Sequence, residues 1–115
     1  MKKILLCCAG GMSTSILANR MEKEAEMSFF ESKIWAVSVS SLEKHIKEGV
    51  DVVLIGPQIR YMSNEVTKIC QDYKIPSGVI PMKDYGTMNG KKVLDLALEL
   101  MNLNSEIWDF FTTLY

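Results

Sequence analysis

The stretch Cys7-Cys8-Ala9-Gly10-Gly11-Met12-Ser13-Thr14-Ser15 gathers the residue types that can do chemistry: thiols, glycines and hydroxyls, with no charged side chain among them. A thiolate is a nucleophile, free cysteine ionises at about pH 8.5, and a helix N-terminus both lowers that value and attracts anions. Successive backbone N–H groups in a glycine-rich turn form a nest for phosphate oxygens. Gly10 and Gly11 permit the unusual backbone angles and the close approach such a nest requires. Ser13, Thr14 and Ser15 add hydroxyl donors. A cradle of this kind can accept a phosphoryl group on sulfur, because that transfer depends mostly on positioning and charge stabilisation. Adjacent strand residues face opposite ways, so at most one of Cys7 and Cys8 points into the cradle. Cys8 lies nearer the glycines and is favoured; Cys7 then reads as a small buried residue.

The cradle needs a strand before it and a helix after it. Residues 3–7 supply a short continuous apolar run that reads as a buried strand. From Met12 to about Met27, Ile16, Leu17, Met21 and Ala25 recur at helical spacing among charged residues, and Ser13 or a neighbouring hydroxyl can cap the start. Residues 33–38 form a second strand candidate, followed by a short helix from Leu42 to Lys47 closed by Gly49. Residues 50–55 form a third strand, rich in β-branched residues. Gly56-Pro57 ends it, and a helix follows to about Tyr73 with Ile59, Met62, Val66, Ile69, Cys70 and Tyr73 on one face. Residues 75–80 are a weaker strand, which Pro76 places at an edge. Residues 81–90 read as a loop, and 91–103 as a last helix with Val93, Leu94, Ala97, Leu98 and Met101 inward. This β-α alternation predicts one α/β domain: an open four-stranded parallel sheet with helices on both faces and right-handed crossovers. Ligands of such sheets bind beyond the carboxyl ends of the strands. The Cys8 loop, Gly56-Pro57-Gln58 and Met82-Lys83-Asp84-Tyr85 all fall on that rim.

Composition narrows the function classes. The 115 residues fit one domain with a usable core, and 48% hydrophobic against 23% charged excludes a disordered chain. A net charge of −1 gives no basic surface for nucleic acid. No apolar run approaches the roughly 20 residues needed to span a bilayer. The Lys2-Lys3 start is followed by too short an apolar stretch for a signal peptide, so a cytoplasmic location is expected. Three cysteines, an odd count, argue for free thiols. With no Cys-x-x-Cys and a single histidine, His45, neither zinc nor any other metal or cofactor is expected. The segment 104–115 holds Trp108, Phe110, Phe111, Leu114 and Tyr115; it is too apolar for a solvated tag and is expected to extend the last helix or fold back on the domain.

The string Cys8-Ala9-Gly10-Gly11-Met12-Ser13-Thr14-Ser15 after an N-terminal strand resembles the phosphorylation loop of the IIB component of bacterial sugar phosphotransferase systems, in the lactose/cellobiose (chitobiose) branch. The stretch Asp51 to Met62, with Gly56-Pro57-Gln58 and Tyr61, is similar to that family's third strand and Gly-Pro-Gln-x-x-Tyr motif. Tyr85-Gly86 followed by Gly90 resembles its loop after strand four. The resemblance covers about residues 1–103, leaving 104–115 as a separate apolar tail. It implies strand order 2-1-3-4 and a phosphocarrier, a protein-phosphocysteine–sugar phosphotransferase. Cys8 would take a phosphoryl group from a phosphohistidine of the IIA component and deliver it to a cellobiose-, chitobiose- or lactose-type sugar entering through the membrane IIC component. Residues Ala9 to Ser15 would bind the phosphate, with Gln58, Tyr61 and Tyr85 as rim or partner contacts. The loop offers no local base to activate water, which suits a carrier.

Two other readings meet obstacles. A low-molecular-weight tyrosine phosphatase or arsenate-reductase-like enzyme needs an arginine six residues after its cysteine to clamp the phosphate; counting from Cys8 gives Thr14 and from Cys7 gives Ser13. Asp84 accordingly reads as a turn residue and not as a general acid. A non-catalytic anion- or nucleotide-binding module would need Gly-Lys-Ser/Thr or a G-x-G-x-x-G string, and neither occurs. His45 reads as a surface residue and Cys70 as core. Met21, Met27, Met62 and Met101 fall at core spacing, while Met12 shapes the cradle.

Overall fold

In a computed structural model, which describes residues 1–10 and 12–101, the strand leading into the cysteine loop lies inside the sheet. This strand, β1 (Lys2–Cys8), pairs in parallel with β2 (Ser32–Ser38) on one side and β3 (Val52–Ile55) on the other. The edge strand β4 (Ser77–Val79) adds to β3, giving the order β2-β1-β3-β4. A strand flanked and covered on both faces has no solvent side, which is why Ile4 to Cys8 read as a continuous apolar run; all five are buried.

Side chains of β1 alternate between two cores. Ile4 and Leu6 meet Leu17, Met21 and Ala25 of α1 (Met12–Met27) and Val93, Leu94 and Ala97 of α5 (Gly90–Leu100). Leu5 and Cys7 meet Leu42 and Ile46 of α2 (Leu42–Glu48) and Val66 and Cys70 of α3 (Ser63–Asp72). Helices α1 and α5 approach so closely that a Cβ on Gly90 would lie 2.8 Å from the carbonyl carbon of Arg20. Asn89 caps α5, its side-chain oxygen accepting from the Lys92 N–H at 3.1 Å, a contact worth about 1 kcal/mol. Gly49 ends α2 at φ 113, a conformation that favours glycine.

Several expectations are corrected. The helix expected from Pro57 to Tyr73 is two pieces: a 3-10 segment, Pro57–Met62, broken at Ile59 (φ −115), and then α3. The Ile59 N–H bonds the Gly56 carbonyl at 3.1 Å, and this tight turn keeps Ile59 buried. The expected loop 81–90 contains a short helix, α4 (Met82–Gly86), whose Tyr85 N–H bonds the Pro81 carbonyl at 3.0 Å. Ile16, Met27 and Tyr73 were expected inward and are exposed. Among the described side chains of α1 the buried positions are 14, 17, 18, 21 and 25, so Ile16 stands one step off the stripe and Met27 two; Tyr73 lies past the end of α3. His45 is half-buried and accepts a hydrogen bond from the Trp35 indole N–H at 3.2 Å. The expectation for residues 104–115 lies outside the described residues.

Candidate functional site

The site begins with strand parity. Cys8 shares its face of β1 with Ile4 and Leu6, the face covered by α1, so its thiol stands where that helix starts. It keeps 6% of its surface exposed and its Sγ donates to the Val37 carbonyl of β2 at 3.6 Å. Cys7 projects to the other face, is fully buried, and has its thiol pKa pushed up to about 12 by that burial, with the neighbouring Cys8 and Cys70 adding to the effect. After the strand come Ala9 and Gly10, the latter at φ 113. Gly11 and the Met12 side chain lie outside the described residues. With no acidic residue in its first turn, α1 leaves its N-terminal backbone donors and the positive end of its dipole free of competing carboxylates.

The other two loops close the site. Tyr85 of α4 is buried, and its hydroxyl lies 2.6 Å from Ser13 Oγ and 3.0 Å from Thr14 Oγ1. Thr14 is itself only 2% exposed. After β3, the Gly56 N–H bonds the Cys7 carbonyl at 2.8 Å. A Cβ on Gly56 would lie 3.1 Å from Gln58 Oε1, so the glycine lets Gln58 fold back toward Cys8. Together Cys8, Ala9, Gly10, Ser13, Thr14, Gln58 and Tyr85 line a cavity of about 110 Å³. That is well below the roughly 300 Å³ at which pockets for drug-sized ligands begin, and suits a small anion. None of the lining side chains is charged.

Of the sequence-predicted site residues, Cys8, Ala9, Gly10, Ser13, Thr14, Gln58 and Tyr85 are thus brought together. Ser15 is exposed on α1 and does not line the cavity. Tyr61 is 78% exposed on the turn after β3 and does not reach the cavity either. The sequence reading missed the Val37 carbonyl, whose only signal is the pairing of Cys8 with Ser38 across β1 and β2. It also left Tyr85 on the rim, whereas the ring is buried and its hydroxyl ties the loop after β4 to the start of α1. Among the described residues no group of three or more His, Cys, Asp or Glu side chains could hold a metal ion, and no helix is long and apolar enough to cross a membrane.

Comparison with known proteins gives a consistent picture. The family model described as the lactose/cellobiose-specific IIB subunit of the phosphotransferase system matches residues 3–96. The chain is 43% identical over 101 residues to the oligo-beta-mannoside-specific EIIB component of Bacillus subtilis (strain 168), covering 88% of this chain and 97% of the relative. It is 41% identical over 105 residues to the galactose-specific EIIB component of Lactococcus lactis subsp. cremoris (strain MG1363), with the same two coverages of 88% and 97%. The solution structure of the cellobiose-specific IIB component from Borrelia burgdorferi superposes with a TM-score of 0.72 at 40% identity, covering 88% of this chain and 92% of that one. The lactose-specific IIB domain of Streptococcus pneumoniae shares the fold, with a TM-score of 0.76 at 21% identity over 86% of this chain and 96% of that one.

Proposed function

Because the chain belongs to the lactose/cellobiose-specific IIB family of the phosphotransferase system, we propose that it is a sugar-system phosphocarrier whose phosphoryl group rides on Cys8. The observation that carries this reading is the cavity over the Cys8 thiol: uncharged, sized for a small anion, lined by hydroxyls, and set at the start of α1. In the first transfer the Cys8 sulfur attacks the phosphorus of a phosphohistidine on the IIA component. The S–P bond forms, the N–P bond breaks, and the imidazole nitrogen keeps the bonding electrons and ends with the thiol proton. In the second, a hydroxyl of the sugar held by the membrane IIC component attacks phosphorus. The S–P bond breaks, and sulfur keeps its electrons and takes the hydroxyl proton. The sugar is of the cellobiose, chitobiose or lactose type, and all of this takes place on the cytoplasmic side.

The thiophosphate carries charge that backbone N–H groups from Ala9 to Ser15, Gly11 and Met12 among them, and the hydroxyls of Ser13 and Thr14 stabilise without cost of reorganisation. Among the described residues no carboxylate or imidazole lines the cavity, which suits a thiophosphate kept from base-activated water. A phosphatase would also want an arginine fork on the phosphate, and no arginine is among the described residues that line the cavity. Gln58 lines the cavity, and Tyr61, exposed on the same turn, is available as a contact for a docking partner. The test is intact mass and peptide mapping after incubation with phosphoenolpyruvate, enzyme I, HPr and a cognate IIA component. One phosphoryl group on Cys8 is expected. Phosphate on Cys7, no label, or rapid turnover of an aryl phosphate would each overturn the reading.

A further inference from the structure

The hydroxyls of Ser13, which is exposed, and of Thr14 and Tyr85, which are buried, can be counted as donors and acceptors. Each carries one hydrogen and two acceptor positions. Two contacts join them, Ser13 Oγ to Tyr85 Oη at 2.6 Å and Thr14 Oγ1 to Tyr85 Oη at 3.0 Å. Those two bonds use two of the three hydrogens. One hydroxyl hydrogen is therefore uncommitted within the cluster, whichever way the two bonds run. Thr14 and Tyr85 are almost wholly buried, and among the described residues no other side chain hydrogen-bonds any of the three hydroxyls. All three residues line the cavity that holds Cys8. The natural taker of a spare O–H in that cavity is a group that only accepts hydrogen bonds, and a doubly ionised phosphoryl group has three such oxygens.

From this count we propose that Tyr85 is a phosphate-positioning residue: through its hydroxyl it holds Ser13 and Thr14 in place and keeps one O–H of the cluster turned toward a thiophosphate on Cys8. The proposal rests on Cys8 being the phosphorylated residue. The anchorage is long-range, because Tyr85 comes from α4 and reaches across 71 and 72 positions of sequence to the first turn of α1. Its backbone is tied down in turn, the Tyr85 N–H bonding the Pro81 carbonyl at 3.0 Å and its carbonyl accepting from the Met88 N–H at 3.0 Å. A phenylalanine in its place keeps the ring in the core and removes the atom that both hydroxyls contact. Ser13 and Thr14 then rotate freely, and the donor aimed at the anion is no longer preset.

The readout is the phosphorus resonance of the labelled protein, titrated with pH, together with the lifetime of the label. A donor to the charged form favours the dianion. Tyr85→Phe is therefore expected to raise the pKa of the thiophosphate's second ionisation by about one unit, the size expected for one hydrogen bond to a charged group. The label should also be lost several-fold faster. Thr14→Val leaves the Ser13–Tyr85 contact and one uncommitted hydrogen in place, so its titration should shift less than that of Tyr85→Phe. A labelled Tyr85→Phe protein with an unchanged titration and an unchanged label lifetime overturns the role of Tyr85 while leaving the carrier reading intact. Failure of the wild-type protein to take label on Cys8 overturns both.

Discussion

Cys7 and Cys8 are neighbours on one strand, yet they lie on opposite faces of the sheet. Cys7 is packed with Leu5, Val53, Ile55 and Cys70 under α2 and α3. Cys8 stands over a small polar cavity at the start of α1. Both are largely buried, at 0% and 6% exposure, so burial alone does not separate them. What separates them is what surrounds the sulfur. The Cys7 face offers hydrocarbon and the Cys70 thiol, and burial there, with Cys8 and Cys70 close by, disfavours a negative charge and lifts its pKa to about 12. The Cys8 face offers hydroxyls and a helix N-terminus, the surroundings that suit a phosphoryl group carried on the sulfur. A shift of one residue in strand register thus turns an inert core thiol into a candidate phosphoryl acceptor.

The sharpest way to break that contrast is to remove each sulfur. Cys8→Ser should abolish stable label from the phosphoenolpyruvate relay, whereas Cys7→Ser should retain it; label lost from both variants, or only from Cys7→Ser, would erase the distinction. Cys7→Ser should instead cost stability, by about 1–3 kcal/mol in urea unfolding, because its hydroxyl enters a packed apolar face with no partner in view. Alkylation of the native protein gives the next largest difference. Cys8 should react first, with Cys7 and Cys70 slower by a factor on the order of 1,000 or more, since they must wait for opening of the α2–α3 face. Time-resolved peptide mapping checks the order.

The alkaline limb carries the contrast into thermodynamics. The Cys7 pKa is raised on folding, to about 12, and burial also raises that of Cys70 despite a lowering contribution from Ser77. Between the unfolded value near 9.0 and the folded value near 12 the folded chain holds the Cys7 proton and the unfolded chain has released it. The stabilising contribution is therefore complete below about pH 9 and is lost as pH rises, with a slope of at most about 1.4 kcal/mol per pH unit for each such thiol. Cys7→Ala should flatten the fall in unfolding free energy between pH 9 and pH 11. An unchanged slope would mean that Cys7 is not the group responsible.

Much of this was legible in the sequence, and the reasons differ by element. The doubly buried strand announced itself as Ile4-Leu5-Leu6, and α1 as a periodic run with glycines before it. Which of the two thiols faced the cradle rested on nearness to Gly10, because parity limits the choice to one residue without naming the face. Only the covering by α1, shared with Ile4 and Leu6, supplies that. The part played by Tyr85 was out of reach. A helix as short as α4 is too brief to show a period and is not stable alone; it exists because α5 and the start of α1 hold it. The kink at Ile59 was hidden for a similar reason, since Pro57 is as acceptable at the start of an α-helix as in a 3-10 turn. Ile16 misled because a hydrophobic residue one step off the stripe looks, in sequence, like part of it.

The smallest expected effect touches both thiols at once. A methyl group added by Gly56→Ala would lie 3.3 Å from the Cys7 carbonyl, 3.7 Å from Cys8 Cβ and 3.1 Å from Gln58 Oε1. Gly56 has φ −60, so alanine adopts its backbone without strain. Loss of glycine's freedom in the unfolded chain contributes about 0.4–1 kcal/mol of stability, which offsets the tight contact with the Cys7 carbonyl. The Gln58 side chain is exposed and can swing away. The Cys7 side should therefore register little, with an unfolding free energy within about 0.5 kcal/mol of wild type. The Cys8 side should register more, because Gln58 is one of the residues closing the cavity, and its displacement leaves the thiol open to water. Gly56→Ala is expected to slow labelling of Cys8 a few-fold at nearly constant stability. The reverse pattern, a destabilised protein labelled at the normal rate, would show that Gly56 serves the packing around Cys7 and not the cavity over Cys8.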